Sequence, residues 1–310
     1  IKGWNDDFYA LTLFAKQYLT ANFHAPTRTY AVGTSNGGAQ VRSLNEQHPE
    51  VIDGAVDWEG VYWSPSLSIL DYMPQFLKNM PAYVTGGFNN PAAAAAIQAA
   101  GFPADIKSVA TGHPSLWFEY YANQASFYMD LTVFAYGLLI DPAATSTLPS
   151  SAAFTPNPVN PTRLPGIPSA GVSGMADPVV RQNYVPSAAA RTAIASFAHT
   201  GKIGKPMVSI AGTADMFVTA ANNATPYLNA VNANGKGSIY WQYLVNGGTH
   251  VDTFANPTWG YGLQPQLQFG WAAFNQLVSI VEAAVTPPGA GTQQTVNAPT
   301  DIHSAARVTR

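Results

Sequence analysis

An apolar run of strand length, Thr29-Tyr30-Ala31-Val32-Gly33, leads without a linker into Ser35-Asn36-Gly37-Gly38, and a helical pattern follows from about Gly38 to His48. A strand that turns straight into a helix holds the residue at the turn in a strained conformation, and small residues on both sides let the two backbones pass closely. Val51 to Trp58 is a second apolar run of strand length, and a helix over roughly residues 6–22 precedes both, with Asn5-Asp6-Asp7 as its start signal and Phe8, Leu11, Phe14, Ala15, Tyr18 and Leu19 at helical spacing. Helix, strand, helix, strand in that order predicts an α/β domain on a mostly parallel sheet with helices on both faces.

The middle of the chain, residues 63–186, breaks the rhythm with short helical pieces, a Pro-rich stretch from Pro149 to Pro168, and an aromatic cluster at Trp117, Phe118, Tyr120, Tyr121, Phe127, Tyr128, Phe134 and Tyr136. It reads as an inserted cap, whose rings are either its own core or the wall of a site for a hydrophobic group. The alternation then resumes with a helix near Ser187 to His199, strands at Met207 to Ala211 and Ser238 to Val245, a helix between them near Ala220 to Ala233, and a closing helix from Gln266 to about Val285. Residues 1–62 and 187–290 therefore form the core, and the Pro-, Gly-, Thr- and Gln-rich tail of residues 291–310 is expected to pack as loop or to be mobile.

Composition narrows the function classes. Charged residues are 10% of the 310-residue chain and the formal net charge is -3, so no basic surface is available for nucleic acid. No apolar run reaches the ~20 residues of a membrane-spanning helix. Cysteine is absent, which removes disulfides, thiolate ligands and a cysteine nucleophile together. The sparse charge points to an extracellular or periplasmic protein.

Gly33-Thr34-Ser35-Asn36-Gly37 fits G-x-S-x-G, a short pattern given weight by the strand before it and the helix after it. A serine hydroxyl needs a base within hydrogen-bond reach, and that base needs an acid to fix its tautomer. Asp215, in Gly212-Thr213-Ala214-Asp215, and His250, in Gly247-Gly248-Thr249-His250, each stand in a loop at the C-terminal end of a strand, the edge where catalytic groups gather in open parallel sheets. His24, His48, His113, His199 and His303 have no such placement. Asp57 and Glu59, at the end of the strand after the nucleophile helix, compete with Asp215 for the role of acid. Asp252 is expected to face solvent or hold its loop.

In the order Ser35, Asp215, His250 these motifs resemble the α/β-hydrolase family, over residues 1–62 and 187–285. The resemblance implies a serine carboxylic-ester hydrolase that forms an acyl-enzyme, with the backbone N–H of Asn36 as half of the oxyanion hole. It also implies that the family's first strands and the second oxyanion donor lie outside this chain, in an N-terminal segment or on another chain that completes the fold. Ser-Asn-Gly-Gly is similar to the elbow of hydrolases of hydroxybutyrate oligomers and polyesters, whereas tannase-like esterases usually carry a disulfide that this chain has no cysteine to make. Trp58, Glu59 and Trp63 are candidates to line the substrate site. No metal or other cofactor is expected. An amidase or peptidase of the same fold, or a non-catalytic binding protein, are the alternatives.

Overall fold

The computed structural model describes residues 1–121, 126–144, 155–156, 179–180 and 182–302. In chain order these carry helices α1 (Lys2–Asn22), α2 (Asn36–Gln47), α3 (Ile69–Thr85), α4 (Pro91–Ala99), α5 (Leu116–Tyr121), α6 (Ser126–Ile140), α7 (Ala188–Ala195), α8 (Ala224–Ala233) and α9 (Leu267–Ala283). The strands are β1 (Tyr30–Thr34), β2 (Gly54–Trp58), β3 (Thr155–Pro156), β4 (Val179–Val180), β5 (Met207–Gly212), β6 (Tyr240–Val245) and β7 (Gln293–Val296). The chain divides into two compact units: one of residues 1–63, 196–252 and 264–310, the other of residues 64–195 and 253–263.

The first unit is built on one five-stranded sheet in the order β1-β2-β5-β6-β7, parallel throughout. The expected α/β fold on a mostly parallel sheet is the fold observed. Its two faces separate by residue parity, as the pleat requires. Ala55, Met207 and Tyr240 sit level across three strands and pack with Val41 and Leu44 of α2 and Tyr227 and Val231 of α8. The next residues along, Val56, Val208 and Trp241, face the other way and pack with Phe269, Ala273 and Leu277 of α9. Both faces are therefore apolar, which is why β2 and β5 read as near-continuous hydrophobic runs.

Three local expectations are corrected. The first helix begins at Lys2, not at the Asn5–Asp7 cap signal: Asp6 instead pairs with Lys2 one turn back at 2.8 Å. The tail does not remain loop, because residues 293–296 add β7 in parallel to β6, with Gln242 opposite Gln293 and Val296 buried. A four-residue strand of Gln, Gln, Thr and Val has no periodicity to announce it; its edge position is satisfied by backbone pairing. The third correction concerns the glycines of the turn at Ser35. A side chain on Gly33 would meet the Gly37 carbonyl oxygen at 2.3 Å, and one on Gly38 would meet the Gly60 backbone at 2.6 Å, but Gly37 itself has open space around it. The close approach is made by the residues at 33 and 38.

The second unit has a core of its own. Ser68 and Asp71 form a capping box on α3, and Trp117 packs against Phe76 and Tyr83 while Tyr120 stacks on Phe254. Trp117, Tyr120 and Tyr121 are all buried. For these three rings the core reading holds over the substrate-wall reading. The stretch from Pro149 to Pro168 lies almost wholly outside the described residues, as do the surroundings of Phe127 and Tyr128.

Candidate active site

All three sequence-predicted residues lie in the first unit, at the C-terminal ends of β1, β5 and β6. The serine comes first. Ser35 has φ +59° and ψ -119°, a conformation costly for any residue with a side chain. It is pinned on both sides: its N–H donates to the Trp58 carbonyl at 2.8 Å, and its carbonyl accepts from Ala39 at 3.1 Å and Val61 at 3.2 Å. The strain is thus over-determined by the β1–β2 ladder and the first turn of α2.

Asp215 and His250 sit on neighbouring loops that are tied together. Ala214 donates to the Gly248 carbonyl at 2.8 Å, Thr213 to Val245 at 3.0 Å, and the Gly247 N–H to the Thr213 hydroxyl at 2.9 Å. The approach is so close that a Cβ on Gly212 would lie 2.2 Å from the Gly248 oxygen.

The structure brings the three side chains into one relay. His250 Nε2 is 3.0 Å from Ser35 Oγ, and His250 Nδ1 is 2.9 Å from Asp215 Oδ2. The other carboxylate oxygen of Asp215 accepts from the N–H groups of Phe217 at 2.7 Å and Val218 at 2.9 Å, which fixes its orientation. With Asp215 accepting at Nδ1, the neutral imidazole presents a bare Nε2 to the serine hydroxyl, the tautomer a general base requires. Asn36 opens α2, so its backbone N–H has no intrahelical acceptor and is free to stabilise negative charge beside Ser35.

The competing acids separate. Asp57 is fully buried and belongs to another interaction altogether: Arg42 reaches it with Nε at 2.6 Å and Nη2 at 2.5 Å, and Ser209 Oγ lies at 3.1 Å. Burial works against the Arg42 charge, yet Asp57 beside it holds the guanidinium above its ordinary value. The Arg42 guanidinium also lies 4.2 Å over the Tyr227 ring. Glu59, by contrast, stands at the site, with Oε2 3.3 Å from His250 Nδ1. Burial first, then the charges of Asp215 and Asp252, push its carboxyl well above the usual range, against a lowering by the Gly212 N–H. Glu59, Asp215 and His250 present donor atoms within 4.8 Å of one another. In this arrangement the imidazole N–H fills the space between the two carboxyl groups.

Of the three residues expected to line a substrate surface, Trp63 and Glu59 are buried and Trp58 is partly exposed. Trp63 is buried, its ring edge-on to Phe197 and its backbone N–H donating to His199 Nδ1 at 3.1 Å. The Trp58 ring lies against Gly270 of α9, and Glu59 is enclosed. One useful residue carried no sequence signal. Gln266, one residue before α9, hydrogen-bonds both Glu59 and the Thr249 carbonyl. Asp252 caps the same helix, accepting from the Gln266 N–H at 2.6 Å, so it holds the loop.

No family model matches the chain, and no curated protein sequence does. Solved structures overlay it loosely. Feruloyl esterase B from Aspergillus oryzae aligns at 13% identity and a TM-score of 0.43, covering 89% of this chain and 63% of the esterase. An acylaminoacyl peptidase from Pyrococcus horikoshii aligns at 8% identity and a TM-score of 0.34, covering 79% of this chain and 23% of the peptidase. The chain thus spans less than two thirds of each of these proteins. E-2-(Acetamidomethylene)succinate hydrolase aligns at 14% identity and a TM-score of 0.30, covering 82% of this chain and 68% of that one. Overlays of this quality say nothing about substrate.

Proposed function

We propose that this protein is a serine carboxylic-ester hydrolase of α/β-hydrolase type, with Ser35 as nucleophile, His250 as general base and Asp215 as the acid that orients it. The observation that carries the reading is the unbroken relay Ser35 Oγ, His250 Nε2, His250 Nδ1, Asp215 Oδ2, with steps of 3.0 and 2.9 Å, at a strained turn between a buried strand and a helix. His250 takes the Ser35 proton as the alkoxide attacks the ester carbonyl, and the imidazolium so formed faces Asp215. The Asn36 N–H stabilises the oxyanion. His250 then returns the proton to the leaving alcohol, and water attacks the acyl-enzyme by the same route in reverse. The Ser-Asn-Gly-Gly elbow favours a hydrophobic or hydroxyalkanoate-like ester as the substrate class.

A partner belongs to the same reading. Among the described residues β1 pairs only with β2, and Val32 on it is half exposed. Beside it, α1 leaves Leu11, Phe14 and Phe23 mostly exposed, and a groove of about 520 Å³ runs between this helix and the strand. An open strand edge presents unpaired N–H and C=O groups and is a ready template for another strand. A further segment of strand, supplied in cis or by another chain, would cover this edge and bring the second oxyanion donor.

Fluorophosphonate labelling tests the assignment, comparing wild type with Ser35→Ala and His250→Ala, followed by turnover of short and longer p-nitrophenyl esters. Labelling that both substitutions abolish supports the activated serine. Labelling of wild type no stronger than of Ser35→Ala in the protein with its β1 edge covered would sink it, and a preference for amide over ester substrates would move the reading to an amidase.

A further inference from the structure

Two residues beyond the Arg42–Asp57 pair, β2 ends in a residue whose conformation needs a reason. Glu59 has φ +51°, in the left-handed region that residues with side chains rarely adopt. Its backbone is fixed there by an N–H donated to the Ile210 carbonyl at 2.8 Å, and its side chain is 1% exposed. Oε1 accepts from Gln266 Nε2, and the same amide group holds the carbonyl of Thr249, the residue before the histidine, at 2.8 Å. Oε2 is buried, forms no hydrogen bond, and lies 3.3 Å from His250 Nδ1. One imidazole N–H therefore faces two carboxyl groups, Asp215 at 2.9 Å and Glu59 at 3.3 Å. A strained backbone, a dedicated amide clamp and an unsatisfied oxygen aimed at the working ring are more than packing requires.

We propose that Glu59 is a positioning residue for this relay: a second carboxyl group on the Nδ1 edge of His250 that steadies the ring beside Asp215 and replaces it as orienting acid when Asp215 is neutralised. The proposal rests on the serine-hydrolase reading above. In the intact site the groups facing Glu59 are Asp215, Asp252, Asp57 and His250, and two carboxylates this close to one N–H do not both ionise readily. A protonated carboxyl suits the place, since a second negative charge beside Asp215 is avoided while an oxygen still faces the Nδ1 N–H. No proton leaves Glu59 during turnover: the serine proton moves to Nε2 and on to the leaving group, and Nδ1 keeps its own. When Asp215 becomes Asn, the largest of the charges that oppose ionisation of Glu59 is removed, and the imidazolium faces the Glu59 carboxyl 3.3 Å away.

The test is steady-state turnover of p-nitrophenyl acetate by wild type, Glu59→Gln, Asp215→Asn and the double variant. Glu59→Gln is expected to lower kcat about tenfold with KM unchanged, since with its carbonyl oxygen held by Gln266 the amide turns an NH2 donor toward the Nδ1 N–H. Asp215→Asn should cost about 10²-fold, short of the ~10⁴-fold that follows loss of a sole orienting acid, and the double variant should reach ~10⁴, more than the product of the two. Glu59→Asp, which keeps the acid but withdraws it, should behave like Glu59→Gln beside Asp215→Asn and guards against a folding defect in the amide. The infrared carbonyl band of a protonated carboxyl should be present in wild type and absent from Glu59→Gln. A full ~10⁴-fold loss in Asp215→Asn alone, or a silent Glu59→Gln in both backgrounds, overturns the proposal. Turnover that survives Ser35→Ala overturns the hydrolase reading and this proposal with it, whereas serine-dependent turnover indifferent to Glu59 overturns this proposal only.

Discussion

Asp57 and Glu59 stand two residues apart on one strand end, both enclosed, and the surroundings given to each are opposite. Around Asp57 the fold places a guanidinium, a serine hydroxyl and the ring of Tyr227 behind the guanidinium, so the buried charge has an opposite charge and a hydroxyl on its Oδ2. Around Glu59 it places the carboxylates of Asp215 and Asp252 besides that of Asp57, an imidazole and the amide of Gln266. The first arrangement holds α2 against the sheet. The second is costly as structure, because a carboxyl buried among other carboxylates is pushed toward its neutral form. Two histidines make the same contrast. His199 is buried between the Trp63 backbone N–H at its Nδ1 and the Ala39 carbonyl 2.9 Å from its Nε2, so both nitrogens are used within the fold, whereas the Nε2 of His250 faces the Ser35 hydroxyl.

This contrast breaks most sharply at the serine. Ser35→Ala should reduce ester turnover by ~10⁴-fold or more while leaving the thermal unfolding curve in place, as measured by kcat against Tm. Arg42→Met should do the reverse, destabilising the fold by about 3–5 kcal/mol in denaturant titration, since Asp57 would be left buried without its cation. Arg42→Met with Asp57→Asn should recover part of that loss. If Arg42→Met leaves stability intact, the pair is not the structural counterpart described here.

A smaller effect is expected from acid. Burial lowers the His199 value below its ordinary 6.5, so the unfolded chain takes up the proton first as pH falls. The stability it contributes is complete above about 6.5 and declines below it, by at most ~1.4 kcal/mol per pH unit, and His199→Gln should flatten that slope in urea titrations across pH 5–7. Smallest is Glu59. Its raised carboxyl makes the opposite contribution, complete below the ordinary 4.5 and lost as pH rises toward the folded value. Glu59→Gln should therefore raise Tm at pH 8 by on the order of 2 °C while lowering kcat. A variant less stable at pH 8 would mean that the acid is held ionised after all.

The chain announced the part of this that depends on neighbours in sequence. The strand before Ser35, the glycines around it, and the loops of Asp215 and His250 are local patterns, and the parallel sheet follows from their alternation. What stayed illegible depends on neighbours in space. Arg42 is an ordinary helix residue until Asp57 arrives beneath it from the next strand, and Trp63 looks like a surface aromatic until Phe197 and His199 enclose it from far along the chain. Gln266 gains its role only because two loops converge on its amide. Residues 293–296 are recruited as a strand by an open edge of β6, which no property of their own side chains foretells.

The long excursion between β2 and β5 has a kinetic consequence. Asp57 and Ser209 are register partners separated by about 150 positions, and Ser35 meets His250 across a gap of 215. Contacts so distant along the chain form late, after the entropy of closing the loop has been met. During synthesis the first two strands emerge and wait, with the serine already present and its base not yet made. If Ser35 is the nucleophile proposed above, the onset of its reactivity should report when the β1 and β6 ends meet, readable by quenching a refolding reaction with a serine-directed probe.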